Sequence, residues 1–280
     1  MEVDKLQLLR GRPIQISDLL IIKQPTLGEI EEYGESKFMS IFWIMCSSAW
    51  DMPSVFADMG VDFMSVSDFE FFIQNVRNLT PAETGIVFGE LDFSQLTPVM
   101  MKTEDGEEKP VLTNLQEYTY NNLDYSVGRF IIDENVYKET ITYIREMIGF
   151  VHKGRKALNS ATAKILIMDD RKTRAKSSNK PYESMFHNGI ISLVNTEEFP
   201  YDYETVFNMT IYQFTKSLLQ IQGKKQACAM LQGSMSGFVD TSGIPSESFQ
   251  WTYSEEKYHK RSGKTLKSSL APNGGNLNIK

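Results

Sequence analysis

The sequence predicts an α+β fold that is predominantly helical, and three observations predict it. The spacing Ser/Thr-x-x-Glu, typical of a capped helix start, occurs three times before residue 90. Two strand-like runs flank an acidic turn near residue 105. Apolar residues then recur at helical spacing through most of the second half. Because 41% of the 280 residues are hydrophobic, the chain is apolar enough to bury a core.

The N-terminal residues predict a β-hairpin over residues 5–22. Lys5–Leu9 alternates weakly between polar and apolar residues, and Gly11-Arg12-Pro13 supplies turn residues. Ile14–Ile22 is rich in β-branched and apolar residues, as a second strand would be. Pro25 ends this strand because proline cannot donate a ladder hydrogen bond.

The hairpin is followed by a predicted helix. Thr26-Leu27-Gly28-Glu29 has the spacing of a capping box, in which a hydroxyl and a carboxylate bond the free amides of a first helical turn. Apolar residues at intervals of three to five predict one helix from Leu27 to about Ser47, with Gly34 as its weak point.

Further start signals predict three more short helices. Asp51-Met52-Pro53 opens one that runs to Met59, with the proline tolerated in its first turn. Capping boxes at Ser67–Glu70 and Thr80–Glu83 open the other two. Residues 26–90 therefore predict a compact helical unit.

The central residues predict a second hairpin. Leu96–Met101 and Lys109–Thr113 flank the acidic tip Thr103–Glu108. The aromatic residues that follow, between Tyr118 and Phe130, stand among Asn, Asp and Gly, which is compatible with short strands or with a loop. A domain boundary is expected near Asn114–Tyr125.

The C-terminal half predicts helices. Asp133 caps a helix of about 15 residues that ends at Ile148. Apolar spacing predicts further helices over Asn159–Ser177, Tyr182–Asn195 and Tyr203–Leu231, the last with a bend at Gly223. The predicted organisation is an α+β domain over 1–117, a mostly helical domain over 118–253 and a flexible basic tail over 254–280.

Charge is divided unevenly along the chain. The net charge is −7, but residues 1–256 carry 23 basic and 36 acidic side chains, whereas residues 257–280 carry six basic side chains and no acidic one. Such a tail is often only a solvated chain end. The alternative is an arm that binds an acidic partner, such as another copy of the chain. Under that alternative the partner-binding residues are Lys257, Lys260, Arg261, Lys264 and Lys267.

Composition also excludes several classes of protein. The longest apolar runs, Phe38–Met45 and Ile165–Met168, are far shorter than the roughly 20 residues of a membrane span. The first residues lack the basic and apolar regions of a signal peptide. Cys46 and Cys228 are the only cysteines in the sequence, so a disulfide-based fold is not expected. We expect the protein to reside in a reducing compartment.

A search for enzymatic motifs finds none. His152, His187 and His259 are dispersed, without metal-ligand spacing, and neither cysteine has an activating base nearby in sequence. Ser262-Gly263-Lys264-Thr265 contains the end of a P-loop but lacks its upstream glycine. The sequence therefore predicts no enzyme and no catalytic, cofactor or metal site. An enzyme whose site is assembled from distant residues remains the alternative, since motifs do not detect such sites.

Nucleic-acid binding is not expected either. Arg171–Lys176 is a basic cluster, but it follows two aspartates in an acidic body. A charged, solvated helix face explains it better.

Several segments together resemble a family of proteins encoded in the structural gene modules of tailed phages that infect Firmicutes. They are Gln24–Glu35, Trp50-Asp51-Met52, Asp68–Phe72, Lys180–Ser184 and Gln232–Phe238. The likeness extends over most of residues 5–250 and brings no catalytic residue with it.

The resemblance implies a non-enzymatic protein of virion morphogenesis, a minor structural or tail and neck component that acts through protein–protein contacts. Its partners would be other phage structural proteins or copies of itself, and it would reside in the host cytoplasm during assembly or in the virion. The alternatives are a tail assembly chaperone that is absent from the mature particle and a soluble regulatory binding protein.

Overall fold

A computed structural model describes residues 3–102, 106–114, 116–120, 123–127, 131–150, 159–177 and 182–236, with only the backbone described between 116 and 127. The described chain is α+β and predominantly helical, as the sequence predicts. It divides into two compact units between Thr215 and Lys216. The domain boundaries predicted at 117/118 and 253/254 stay a prediction.

An N-terminal hairpin is present, but both of its strands lie within the predicted second strand Ile14–Ile22, and Gly11-Arg12-Pro13 is not its turn. Strands β1 (Ile14–Gln15) and β2 (Ile21–Ile22) pair antiparallel, with Ile14 opposite Ile22. The predicted strand Lys5–Leu9 is wrong, because these residues form helix α1. The Asp4 carboxylate accepts hydrogen bonds from the Leu6 and Gln7 amides, and this cap stabilises a helical turn that weak alternation did not reveal.

The predicted helical unit is confirmed, with one helix divided in two. At Gly34 the backbone has φ +100°, a conformation that residues other than glycine rarely adopt. The helix predicted over 27–47 breaks there. All three capping boxes form as predicted. The helices are α2 (Leu27–Tyr33), α3 (Glu35–Cys46), α4 (Pro53–Asp58), α5 (Asp68–Val76) and α6 (Pro81–Phe88), with 3-10 turns at Ala49–Asp51 and Phe93–Gln95.

The central hairpin is confirmed and gains a third strand. Strands β3 (Thr97–Lys102) and β4 (Glu108–Thr113) pair antiparallel, and β7 (Ile131–Ile132) adds to the other edge of β4. The short β7 pairs only with Leu112 and Thr113, so Pro110 has no neighbour there that needs its missing amide hydrogen. A separate antiparallel pair, β5 (Gln116–Tyr120) and β6 (Leu123–Val127), confirms the short strands.

Two helices of the C-terminal half match their predictions. Helix α7 (Glu134–Ile148) begins at the Asp133 cap, whose carboxylate accepts from the Asn135 and Val136 amides. Helix α8 covers Ser160–Ser177.

The remaining helices of this half differ from the prediction. Helix α9 begins at His187 rather than Tyr182. The Ser184 hydroxyl and the Met185 amide donate to the distant Glu35 carboxylate, and the same hydroxyl accepts from the His187 amide. The helix predicted over 203–231 is two, α10 (Tyr203–Phe207) and α11 (Ile211–Met235), because the intervening backbone pairs with residues 25–27. Helix α11 contains Gly223 and continues through the predicted bend.

The core of the first unit lies among α3, α5 and α7 and is rich in aromatic side chains. Phe72 is central to it, with its ring 4.8 Å from that of Tyr137 and 6.4 Å from that of Phe93. Phe38 and Phe42 of α3 pack edge to face at 4.5 Å. Such pairs add to the stabilisation from burial. The described part of the second unit is the continuation of α11 from residue 216.

Candidate interaction site

Two of the motif segments meet at Glu35, the first residue of α3. Its carboxylate accepts hydrogen bonds from the Ser184 hydroxyl and the Met185 amide, both at 2.5 Å. Partial burial and a hydrogen bond to the same carboxylate raise the pKa of Tyr182 to about 12. Glu35 therefore fixes the loop before α9, whose side chains Tyr182 and Met185 stay exposed.

The same motif segment also pairs with the connection between α10 and α11. The Leu27 amide donates to the Met209 carbonyl at 2.9 Å, and Thr26 forms a β-bridge with Thr210. A Cβ atom at Gly28 would lie 3.3 Å from the Phe207 carbonyl oxygen, tighter than an ordinary contact. Glycine therefore permits this close approach of two backbones.

Gln24 begins this segment and joins the N-terminal elements. It is a buried polar side chain, and its amide group donates to the Arg12 carbonyl at 2.5 Å and to the Gln7 carbonyl at 3.4 Å. Gln213 of α11 extends the network by donating to the Leu9 carbonyl at 2.7 Å. Gln24 and Gln213 thus join α1 to the turn at Arg12 and to the start of α11, which is a structural task.

The basic cluster on α8 contributes to packing against α4. Arg171 forms an ion pair with Asp58, and Arg174 pairs with Asp170 at 3.2 Å. Asp170 also accepts hydrogen bonds from the amide and hydroxyl of Ser54. Part of the charge that could suggest a nucleic-acid site is therefore matched by carboxylates. The absence of nucleic-acid binding stays a prediction.

Of the residues considered for catalysis, the structure describes Cys46, His187 and Cys228. Burial raises the pKa of the Cys46 thiol to about 12 against the opposing effect of Arg145, so this thiol stays protonated at neutral pH. Cys228 and His187 are exposed. Within the described residues, no group of three or more His, Cys, Asp or Glu side chains could hold a metal ion. His152, His259 and the P-loop-like residues 262–265 lie outside the described residues.

The predicted partner-binding residues of the tail also lie outside the described residues. They are Lys257, Lys260, Arg261, Lys264 and Lys267. The acidic tip of the central hairpin, residues 103–105, and Phe130 do so too. Among the helices that the structure describes, none combines the length and the apolar character needed to cross a membrane.

Exposed apolar side chains that the motif search missed lie between residues 182 and 207. The signal was present in the sequence, since aromatic residues in this stretch alternate with acidic and polar ones instead of following the apolar stripe of a helix. In the structure these large apolar side chains are exposed: Tyr182, Met185, Ile191, Tyr201, Tyr203 and Phe207.

A groove of about 610 Å³ forms a second feature, between the N-terminal hairpin and the turn after α6. Leu19 and Ile21 line one side, and the residues that follow Phe88 line the other. Only the tertiary fold brings these two segments together, so no local motif could reveal the groove.

Comparison with known proteins concerns the C-terminal part of the chain. Residues 176–254 match the family model described as the YomV second domain. YomV is a protein of a Bacillus phage region. No curated protein and no solved structure matches the chain. The chain is thus similar, over this segment, to a phage-associated family, as the sequence motifs predict. The matched segment contains all of the exposed apolar side chains between 182 and 207 and ends before the basic residues that begin at Lys257.

Proposed function

We propose that this chain is a non-enzymatic protein of phage virion morphogenesis, a minor structural or tail and neck component that acts through protein–protein contacts. The match of residues 176–254 to the YomV second domain carries the proposal, because it associates the chain with phage proteins. Assembly would take place in the host cytoplasm, and the mature virion would retain the protein.

The exposed side chains of the matched segment support a role in binding. Tyr and Met are enriched in protein interfaces, because they offer large contact areas and adapt to a partner's shape. Single exposed apolar residues are ordinary on a protein surface. Six large ones within 26 residues, in the segment that carries the family match, favour a partner-binding surface.

The division of charge supports the same role. An acidic body followed by a basic tail can attract an oppositely charged surface of another protein over a distance of about 10 Å at moderate ionic strength. In this proposal the tail residues Lys257–Lys267 bind other phage structural proteins or further copies of the chain.

The test is quantitative mass spectrometry of purified virions. The proposal predicts this protein at a fixed ratio to the major structural proteins after stringent purification. If virions lack the protein but fail to form without it, it is a chaperone. If virions lack it and assemble normally without it, the morphogenesis proposal is wrong and a regulatory binder is favoured.

Two matched variants examine the apolar surface within the same assay. Met185→Ser changes an exposed side chain of the 182–207 surface, and Met59→Ser changes an equally exposed methionine outside the matched segment. We expect Met185→Ser to lower incorporation into virions several-fold and Met59→Ser to leave it unchanged. Equal incorporation of both variants would exclude Met185 from the partner-binding surface.

A further inference from the structure

The groove between the hairpin and the turn after α6 has the features of a peptide-binding site. We propose that it binds residues 257–270 of a second copy of this chain. This inference rests on the proposed function, in which copies of the protein meet during assembly, and it names the receptor surface for the basic arm.

The floor of the groove is apolar and partly open to solvent. Phe88 and Leu96 are buried beneath it, whereas Leu19 is 52% exposed and Ile21 is 41% exposed. Successive side chains of a strand point to opposite faces, so burial of Ile22 in the core turns Ile21 outward. Two large aliphatic side chains therefore remain available for a ligand to cover, at about 25 cal/mol per Å² of apolar surface removed from water.

The rim of the groove is acidic. Asp18, Glu90 and Asp92 line it, and Lys23 is the single cation among its described lining residues. None of these carboxylates forms an ion pair within the part of the chain that the structure describes. Asp92 has one carboxylate oxygen bonded by the Ser94 amide and hydroxyl. The rim therefore has unneutralised negative charge, which attracts a cationic ligand and repels nucleic acid.

The tail has the complementary composition. Residues 257–270 contain four lysines, one arginine and no acidic residue, and they include Leu266 and Leu270. Leucines between cations can contact an apolar floor while the cations reach an acidic rim. A cavity of about 610 Å³ is of the size that holds a few side chains rather than a folded domain. The groove thus suits a short basic peptide that contains leucine.

A second copy is the occupant that the charge distribution favours in an assembly. The body of each copy is acidic, so copies without their arms repel one another. An arm inserted into a neighbour's groove places cations between two acidic bodies and converts this repulsion into attraction. Repetition of the contact would join successive copies.

The test is zero-length carbodiimide crosslinking of the full chain, which joins a carboxylate to a lysine in direct contact. Unlabelled and ¹⁵N-labelled protein are mixed, crosslinked at low salt and analysed by mass spectrometry. We expect crosslinks from Lys264 or Lys267 to Glu90 or Asp92, including pairs that join a labelled peptide to an unlabelled one. High salt should reduce their yield because it screens the charges.

Variants separate the groove from general acidity. The double variant Asp18→Asn, Glu90→Gln removes two rim charges but keeps Asp92 available for crosslinking. The yield of the crosslink from Asp92 to the tail should fall several-fold in this variant. Glu31→Gln with Glu32→Gln makes the same charge change on the exposed face of α2, outside the groove, and should leave the Asp92 crosslink unchanged. Leu19→Ser with Ile21→Thr, which leaves every carboxylate intact, should also reduce it.

Three results would overturn the inference: crosslinks confined to one copy, crosslinks spread evenly over acidic residues outside the groove, or a yield that the groove variants do not change. These results would leave the virion stoichiometry unaffected, so the inference can fail while the proposed function stands. A protein absent from virions could still show the crosslinks in solution, so the opposite failure is also recognisable.

Discussion

Asp170 stabilises the start of a helix that lies 116 residues earlier in the sequence. Its carboxylate on α8 accepts hydrogen bonds from the Ser54 amide at 3.1 Å and from the Ser54 hydroxyl at 2.5 Å. Ser54 is in the first turn of α4, where amides have no acceptor within the helix, and the preceding Met52 supplies no side-chain cap. We therefore predict that Asp170→Ala destabilises the protein substantially.

The magnitude follows from burial. Ser54 is 2% exposed, so removal of the carboxylate leaves a buried amide and a buried hydroxyl without an acceptor. Each unsatisfied buried group costs about 1–3 kcal/mol, and a hydroxyl can reorient, so the expected loss is about 2–4 kcal/mol. The ion pair to Arg174 adds at most about 1 kcal/mol because that side chain is 45% exposed. For a unit of this size the melting temperature should fall by roughly 5–10 °C.

The assay is urea denaturation followed by circular dichroism, with hydrogen exchange to locate the change. Amides of α4 should exchange faster in Asp170→Ala, while Asp170→Asn, which retains an acceptor oxygen, should lose less stability. Asp169→Ala is the control, because its side chain is exposed and surface changes usually alter stability by less than about 0.5 kcal/mol. A stability of Asp170→Ala within about 0.5 kcal/mol of the wild type, or an equal loss in Asp169→Ala, would refute the reasoning.

Three further predictions concern acid stability, thiol reactivity and glycine conformation. Hydrogen bonds from the Ser67 amide and hydroxyl lower the pKa of Glu70. Its contribution to folding is therefore complete above the unfolded pKa of about 4.3 and is lost as the pH falls through the lower folded pKa. The urea midpoint of the wild type should drop over that pH range more steeply than that of Glu70→Gln, and equal slopes would contradict this. Because burial raises the pKa of Cys46 to about 12, Ellman's reagent should modify the exposed Cys228 quickly and Cys46 only after denaturation. Cys228→Ser should abolish the fast phase of modification, and a fast phase that persists in this variant would contradict the prediction. Gly89→Ala should destabilise the protein by about 1–2 kcal/mol, because residue 89 has φ +64° and a Cβ would lie 3.1 Å from Lys23 Cε. Gly85→Ala, in the open middle of α6, should stabilise the protein by up to about 1 kcal/mol. Equal denaturation midpoints for the two variants would show the reasoning to be wrong.

Helix starts were predictable from sequence because a cap is local. The partners Thr26 and Glu29, or Ser67 and Glu70, are three residues apart, and each pair forms the reciprocal hydrogen bonds that its spacing predicts. The central hairpin was predictable for the same reason, since its strands are joined by one short turn. These local signals determined most of the fold class.

Two of the errors occurred where a distant partner changed the local preference. Helical spacing continues from Tyr203 into Leu218, yet the backbone at residues 209–211 pairs with residues 25–27 and interrupts the helix. The helix predicted from Tyr182 starts later, where the Ser184 hydroxyl donates to Glu35, 149 residues away, and accepts from the His187 amide. Such partners are not visible in a window of neighbouring residues.

The candidate site was predictable only in part. The charge of the tail can be counted in the sequence, and so it directed attention to Lys257–Lys267. The groove is formed by Leu19, Ile21 and the turn that follows Phe88, which come together only in three dimensions. The 182–207 surface depends on which side chains the fold leaves uncovered, and periodicity alone does not decide that.

Two hydrogen-bonded contacts of the early helices join residues that are far apart in the sequence, and this separation has a consequence during synthesis on the ribosome. Ser54 leaves the exit tunnel 116 residues before Asp170, and Leu9 leaves it 204 residues before Gln213. At about 5–20 residues per second, the first helices therefore wait on the order of ten seconds for the groups that complete them. During that interval the nascent N-terminal half exposes apolar surface that the finished protein buries, so this half is the part of the chain that chaperones would protect.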